Sequence, residues 1–234
     1  MSSNSKAQIA GGWCGVAFLA LWLIGFALIA HWVPPVSPAS SAVEVAAIYV
    51  DRSIAIRIAM ALMGIGSIFY IPFTIALADF IKKIEGDSII LSFTQLAGGI
   101  VGQITFFIPA FIWAAASFRA DRDPEVILAM ADVAWITFMT AWPPFVLQFA
   151  SLAAAIFMDK RADPYFPRWS GYFQVLISVT FLPATLALFF KTGPFAWDGF
   201  FIFWLPLVVF LAWFLVMLPL MWAAAKKEPV SAPS

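Results

Sequence analysis

The chain has 234 residues, 63% of them hydrophobic and 11% charged, with zero net charge and a mean hydropathy of +0.95. Soluble domains carry roughly a quarter charged residues, so this much apolar surface excludes a water-soluble fold and calls for lipid as solvent. The balanced charge and the lack of basic runs point away from any nucleic-acid partner, and a single cysteine, Cys14, excludes an intrachain disulfide.

A membrane span needs ~20 apolar residues. Six segments qualify: residues 12–32, 54–81, 89–118, 126–158, 169–190 and 199–225. The first follows Lys6 and precedes a small-residue stretch, Ser37–Ala42, much as a signal peptide would. It exceeds the ~7–15 residues of a signal h-region, so it is expected to be a retained span. The connection from Val33 to Ser53 contains Ser41-Ala-Val-Glu44, a capping-box pattern that predicts a short interfacial helix before the second span. The other connections are short. The fold class expected is therefore all-α, a polytopic bundle of six spans forming one membrane domain over residues 1–234.

Lysine and arginine set the orientation. One side holds Lys6, Lys82, Lys83, Lys160, Arg161, Arg168, Lys226 and Lys227; the other holds Arg52, Arg57, Arg119, Arg122 and Lys191. Eight against five places the first side, with Met1 and Ser234, in the cytoplasm and the chain in the inner (plasma) membrane. Trp13, Trp169 and Trp222 then fall at the inner interface, and Trp32, Trp113 and Trp197 at the outer one, as an aromatic belt.

The spans are poor in chemistry-bearing groups. The one histidine, His31, and the scattered carboxylates give no metal or haem ligand set. No lysine lies within a span, and there is no phosphate loop or nucleophile elbow. No metal and no cofactor is expected.

Asp132 is the most informative residue, since a carboxylate inside a span costs ~2.5 kcal/mol or more and seeks protein or water. Arg57 lies at comparable depth on the second span, so the two are expected to pair, as a ligand site or as a structural ion pair, unless Arg57 snorkels outward on its own. Asp79 is expected to pair locally with Lys82 and Lys83. Pro143 and Pro144 deprive the Met139 and Thr140 carbonyls of their helical donors; a neighbouring Gln such as Gln103 or Gln148, or a trapped water, could serve them in a pocket, or the step is a kink with local repair. Trp22, Trp135, Trp142, Trp204 and Trp213 lie too deep for the belt and either fill helix seams or in part line an apolar cavity, and Gly98-x-x-x-Gly102 permits close helix approach. Arg119, Arg122 and Lys191 would form a polar rim on the outer side.

Five motifs, Lys83-Ile-Glu-Gly86, Arg122-Asp-Pro-Glu125, Asp132 with Trp135, Phe166-Pro-Arg-Trp169 with Gly171-Tyr172, and Lys191-Thr-Gly-Pro-Phe-Ala-Trp197, carry a resemblance over most of the chain. By them the chain resembles a family of uncharacterised bacterial six-span integral membrane proteins. The resemblance implies the six-span fold and no activity or site residue.

Three functions fit. The first is a non-catalytic protein that binds or passes a lipid-like or hydrophobic small molecule at Asp132, Arg57, Trp135, Trp142 and Gln103. The second is an interaction subunit with a membrane-protein partner or further copies of itself. The third is a cofactor-free isomerase or cyclase that uses Asp132 as acid or base.

Overall fold

The computed structural model describes residues 2–227, and over these the chain is helical without a strand. The first span is α1 (Ser3–Leu23), continued by a π-helical stretch over Ile24–Ile29. The short α2 (Ala42–Asp51) leads to α3 (Ser53–Glu85), the second span. The third span is α4 (Ile90–Gly102) and α5 (Ile104–Ala116), and the fourth is α6 (Pro124–Thr140) and α7 (Pro143–Met158). The fifth is α8 (Arg168–Phe181) with a 3-10 segment over Leu182–Leu188. A π-helical stretch over Phe200–Trp204 opens the sixth, which continues as α9 (Leu205–Lys226). All six are long and apolar enough to cross a membrane. Leu28, Ile54, Ile68, Phe93, Val208 and Leu215 stand exposed on the outside of the bundle, as lipid-facing residues would.

The expected interfacial helix is α2, and its capping box is closed. The Ser41 hydroxyl accepts from the Glu44 amide at 3.4 Å, and the Ser41 amide donates back to the Glu44 carboxylate at 2.8 Å. The first span starts earlier than hydropathy alone suggests because its polar residues are satisfied by a neighbour. Asn4 and Gln8 donate to the Asp79 carboxylate at 3.1 and 2.7 Å, and Lys83 pairs with it at 3.0 Å. Lys82 turns away to the Gly86 and Ser88 carbonyls. Contacts between Trp13 and Trp222 and between Lys227 and Asp163 bring both ends of the described chain to one face. This face also carries Lys82 and Lys83 and is called the basic face below. Met1 and Ser234, on which the expected placement of the termini bears, lie outside the described residues.

Small residues bring the helices together. A Cβ on Gly98 would lie 2.6 Å from the Pro144 carbonyl oxygen and 2.8 Å from the Gln148 nitrogen. The Gly98-x-x-x-Gly102 stripe is thus consumed within the chain, where α4 packs on α7. Beside it runs a fully buried polar chain across three spans. Tyr70 donates to the Gln148 amide oxygen at 2.8 Å, while Gln148 and Gln95 donate to the Thr74 hydroxyl at 3.2 and 2.9 Å. In hydrocarbon such bonds hold helices in register, typically contributing ~0.6 kcal/mol each.

Candidate functional site at the helix breaks

Five of the six spans lose regular α-helical geometry partway along: at Ile24, at Gln103, at Ala141–Trp142, at Leu182 and before Leu205. In the fourth span the cause is covalent. Pro143 and Pro144 bring no amide hydrogen, so α6 stops at Thr140 and α7 restarts at Pro143. The third span breaks opposite it, for α4 lies against α7 and α5 against α6. Gln103 is the hinge residue, capping α4 with its amide and accepting the Phe106 and Phe107 amides on its carbonyl.

A cavity of about 70 Å³ lies among these breaks. Trp22 of the first span, Thr105 and Phe106 of the third, Phe138, Met139, Trp142 and Phe145 of the fourth, Phe181 and Ala184 of the fifth, and Phe203 and Phe210 of the sixth contribute to its walls. The lining carries no charged residue. Phe138 and Phe181 are half-buried, so its wall is thinnest toward the lipid side of the fourth and fifth spans. Three lining side chains have a nitrogen or oxygen: Trp22, Thr105 and Trp142. Each is at least nine-tenths buried, and the Trp22 Nε1, Thr105 Oγ1 and Trp142 Nε1 atoms meet no hydrogen-bond partner. Buried donors ordinarily find partners; Trp32, Trp113, Trp135 and Trp222 also keep unpaired indole nitrogens elsewhere, and here three such groups border one void.

Of the residues expected to bind a ligand, Trp142 lines this cavity, whereas Asp132, Arg57, Trp135 and Gln103 lie outside its lining. Asp132 and Arg57 do not pair. The Arg57 Nε donates to the Ser53 carbonyl at 3.2 Å, and its guanidinium sits 5.7 Å from the centre of the Phe118 ring. The expectation failed because depth along two spans does not place them side by side: α6 is flanked by α5 and α2. Arg122 caps α5 through the Ala115 carbonyl at 2.7 Å, and Arg119 leans on the Phe118 ring. Gln148 is committed to Tyr70 and Thr74, so it does not serve the carbonyls freed by the prolines. The Gln103 amide, nine-tenths buried, has no protein partner at either atom.

A second aromatic group closes the bundle toward the opposite face. Trp32, Trp113 and Trp197, expected as an interfacial belt, are buried together with Trp135. The centroids of Trp32, Trp113 and Trp135 lie 4.4 to 5.4 Å apart, direct ring contact that leaves no room for a guest. The belt expectation failed because α2 folds over α6 and the loop after the fifth span folds inward, where Trp197 donates to the Val36 carbonyl at 2.7 Å. Tyr49 of α2 is fully buried beside them. Its hydroxyl and the Trp135 indole nitrogen both lack a hydrogen-bond partner.

Sequence reasoning found the Trp142-Pro143-Pro144 step and singled out Trp22 as a deep ring, but missed Thr105 and Phe106. Thr105 follows Gly98, Gly99 and Gly102, whose weak helix propensity loosens this stretch without fixing where it breaks. Among the described residues, no three His, Cys, Asp or Glu side chains gather where a metal ion could sit. Comparison of the chain with family models, with curated proteins and with solved structures finds no match to any of them.

Proposed function

We propose that this chain is a plasma-membrane protein, with its basic face in the cytoplasm, that binds a hydrophobic small molecule in the cavity at its helix breaks. The carrying observation is that cavity: walls drawn from five spans and lined largely by aromatic rings, with a few unpaired polar atoms, the usual make-up of a small-molecule site. Discontinuous spans meeting near mid-membrane are also how several transporters build binding sites, which is a likeness of architecture only. At about 70 Å³ the void takes only a short chain end as it stands, below the ~150 Å³ of a benzene-binding cavity and the ~300 Å³ of an ordinary ligand pocket, so a ring-sized guest requires rings such as Phe138 and Phe181 to turn aside. The lack of charge in the lining favours binding over acid-base catalysis there, and Asp132 stands apart from it.

Native purification in mild detergent, followed by mass spectrometry of the small molecules that travel with the chain, tests this. Ala184 is buried in the cavity wall, so Ala184→Leu narrows the void. The wild type should retain a hydrophobic molecule that Ala184→Leu loses. Equal retention by both, or none by either, would remove the reading.

A further inference from the structure

We infer that the guest of this cavity is an uncharged molecule bearing a hydrogen-bond acceptor, such as a ketone, quinone or ester carbonyl, on an otherwise apolar body. The inference rests on the cavity being a binding site, as proposed above, and adds the chemistry of what fills it.

The argument concerns donors. The three lining groups with unpaired polar atoms are two indoles and one hydroxyl. An indole N–H donates and cannot accept, and a hydroxyl can always donate. Two of the three sites therefore demand an acceptor, and the third tolerates one. The protein supplies none to them. An unpaired buried donor is costly because it forfeits the water it had in the unfolded chain. A guest that brings an oxygen acceptor recovers that loss; a pure hydrocarbon does not. Charge is selected against from the other direction. No Lys, Arg, His, Asp or Glu lines the cavity, so neither a carboxylate nor an ammonium would find a counter-charge, and burial of an uncompensated ion is far more costly than burial of a carbonyl. Met139 gives the cavity a soft, polarizable wall suited to a flat or ring-shaped body.

Benzophenone tests this directly, being an apolar ketone that on near-ultraviolet irradiation inserts into nearby C–H bonds, with methionine favoured. The full chain is reconstituted in lipid nanodiscs, irradiated with benzophenone, and its adducts are mapped by peptide mass spectrometry. Competitors are dicyclohexyl ketone and dicyclohexylmethane, matched in shape and differing in the carbonyl, each dosed by its measured lipid concentration. An adduct at Met139 is expected, suppressed by the ketone at about tenfold lower concentration than by the hydrocarbon, the size of one to two recovered hydrogen bonds. In a variant combining Trp22→Phe, Thr105→Val and Trp142→Phe the tenfold gap should close while labelling of lipid-facing residues stays constant. The charged analogue 4-benzoylbenzoate should leave Met139 unlabelled. If both competitors suppress the adduct equally in the wild type, or if 4-benzoylbenzoate labels Met139 as well as benzophenone does, the cavity accepts guests but the inference about their chemistry is wrong. If no competitor affects Met139, or Met139 is not labelled at all, binding in the cavity falls along with it.

Discussion

Tyr70 on α3 donates its hydroxyl to the Gln148 amide oxygen on α7 at 2.8 Å, and both side chains are fully buried. The bond joins spans that are not consecutive in sequence, and through Gln148 and Thr74 it reaches α4 as well. Tyr70→Phe removes the donor and leaves an amide oxygen unpaired in an apolar interior. The expected loss is about 1 kcal/mol, between the mean for membrane bonds and the desolvation cost in soluble cores. Tyr70→Phe with Gln148→Leu should lose less than the two single changes added together. Unfolding in mixed micelles measures this; a Tyr70→Phe protein as stable as wild type would show the bond to be idle.

Asp132 and Arg57 should behave as strangers. Arg57 is engaged by the Ser53 carbonyl and the Phe118 ring, and α6, which carries Asp132, packs on α5 and α2. Asp132→Asn and Arg57→Gln are expected to change stability additively, to within ~0.3–0.5 kcal/mol. A coupling of 1 kcal/mol or more in a double-mutant cycle would bring the ion pair back.

Two glycines give opposite expectations. A Cβ at Gly98 would press on the Pro144 carbonyl oxygen at 2.6 Å, backbone that cannot give way cheaply. Gly98→Ala should destabilise by about 1–3 kcal/mol through overpacking. Gly64, inside α3, has nothing within 4 Å of such an atom. Gly64→Ala should therefore gain up to about 1 kcal/mol from helix propensity. Thermal melts of the two variants beside the wild type check the pair, and the contrast in sign is the point at issue.

The cap of α2 carries a pH dependence. Hydrogen bonds from the Ser41 amide and hydroxyl hold the Glu44 carboxyl below its usual range. A carboxyl depressed in the folded state contributes while it is ionised and ceases to as pH falls through its lowered value. Amide exchange at Ser41 through Val45 should stay slow at neutral pH and quicken in acid, once intrinsic rates are accounted for. Glu44→Gln should shift that acid transition out of the profile. An exchange profile identical in the two proteins would dissociate the cap from Glu44.

The orientation proposed above is checked by single cysteines in a Cys14→Ala background. Impermeant reagent applied from outside should label Ser40→Cys, Ala120→Cys and Thr192→Cys, and leave Gly86→Cys unlabelled. External labelling at Gly86 would invert the assignment.

The spans were legible because apolar length is a one-dimensional property: all six fall within a few residues of where hydropathy puts them, except at Ser3, where Asp79 satisfies polar residues that hydropathy counts against the helix. The Ser41–Glu44 box was legible for the same local reason. Lateral neighbours were not. Depth matched Asp132 to Arg57, but only packing order decides what α6 touches, and α2 occupies that flank. Trp32, Trp113 and Trp197 read as belt residues by their position near span ends, since nothing local announces that α2 and the loop after the fifth span fold over them. Half of the candidate site was readable, the half built by prolines. The facing break at Gln103 carries no proline, and it becomes visible only when α4 and α5 are seen to take different partners.

The packed Trp32, Trp113 and Trp135 rings have a consequence for how the cavity exchanges its contents. They pack the bundle toward the opposite face, while Phe18, Phe73 and Phe214 fill it toward the basic face. The guest proposed above would then enter sideways, out of the bilayer, past half-buried rings such as Phe138 and Phe181. The quantity that sets occupancy is then the guest's mole fraction among the lipids and not its dissolved concentration. Adding empty micelles or vesicles at constant protein and guest should strip the site by dilution alone, and affinities quoted in molar units will drift with the amount of lipid in the tube.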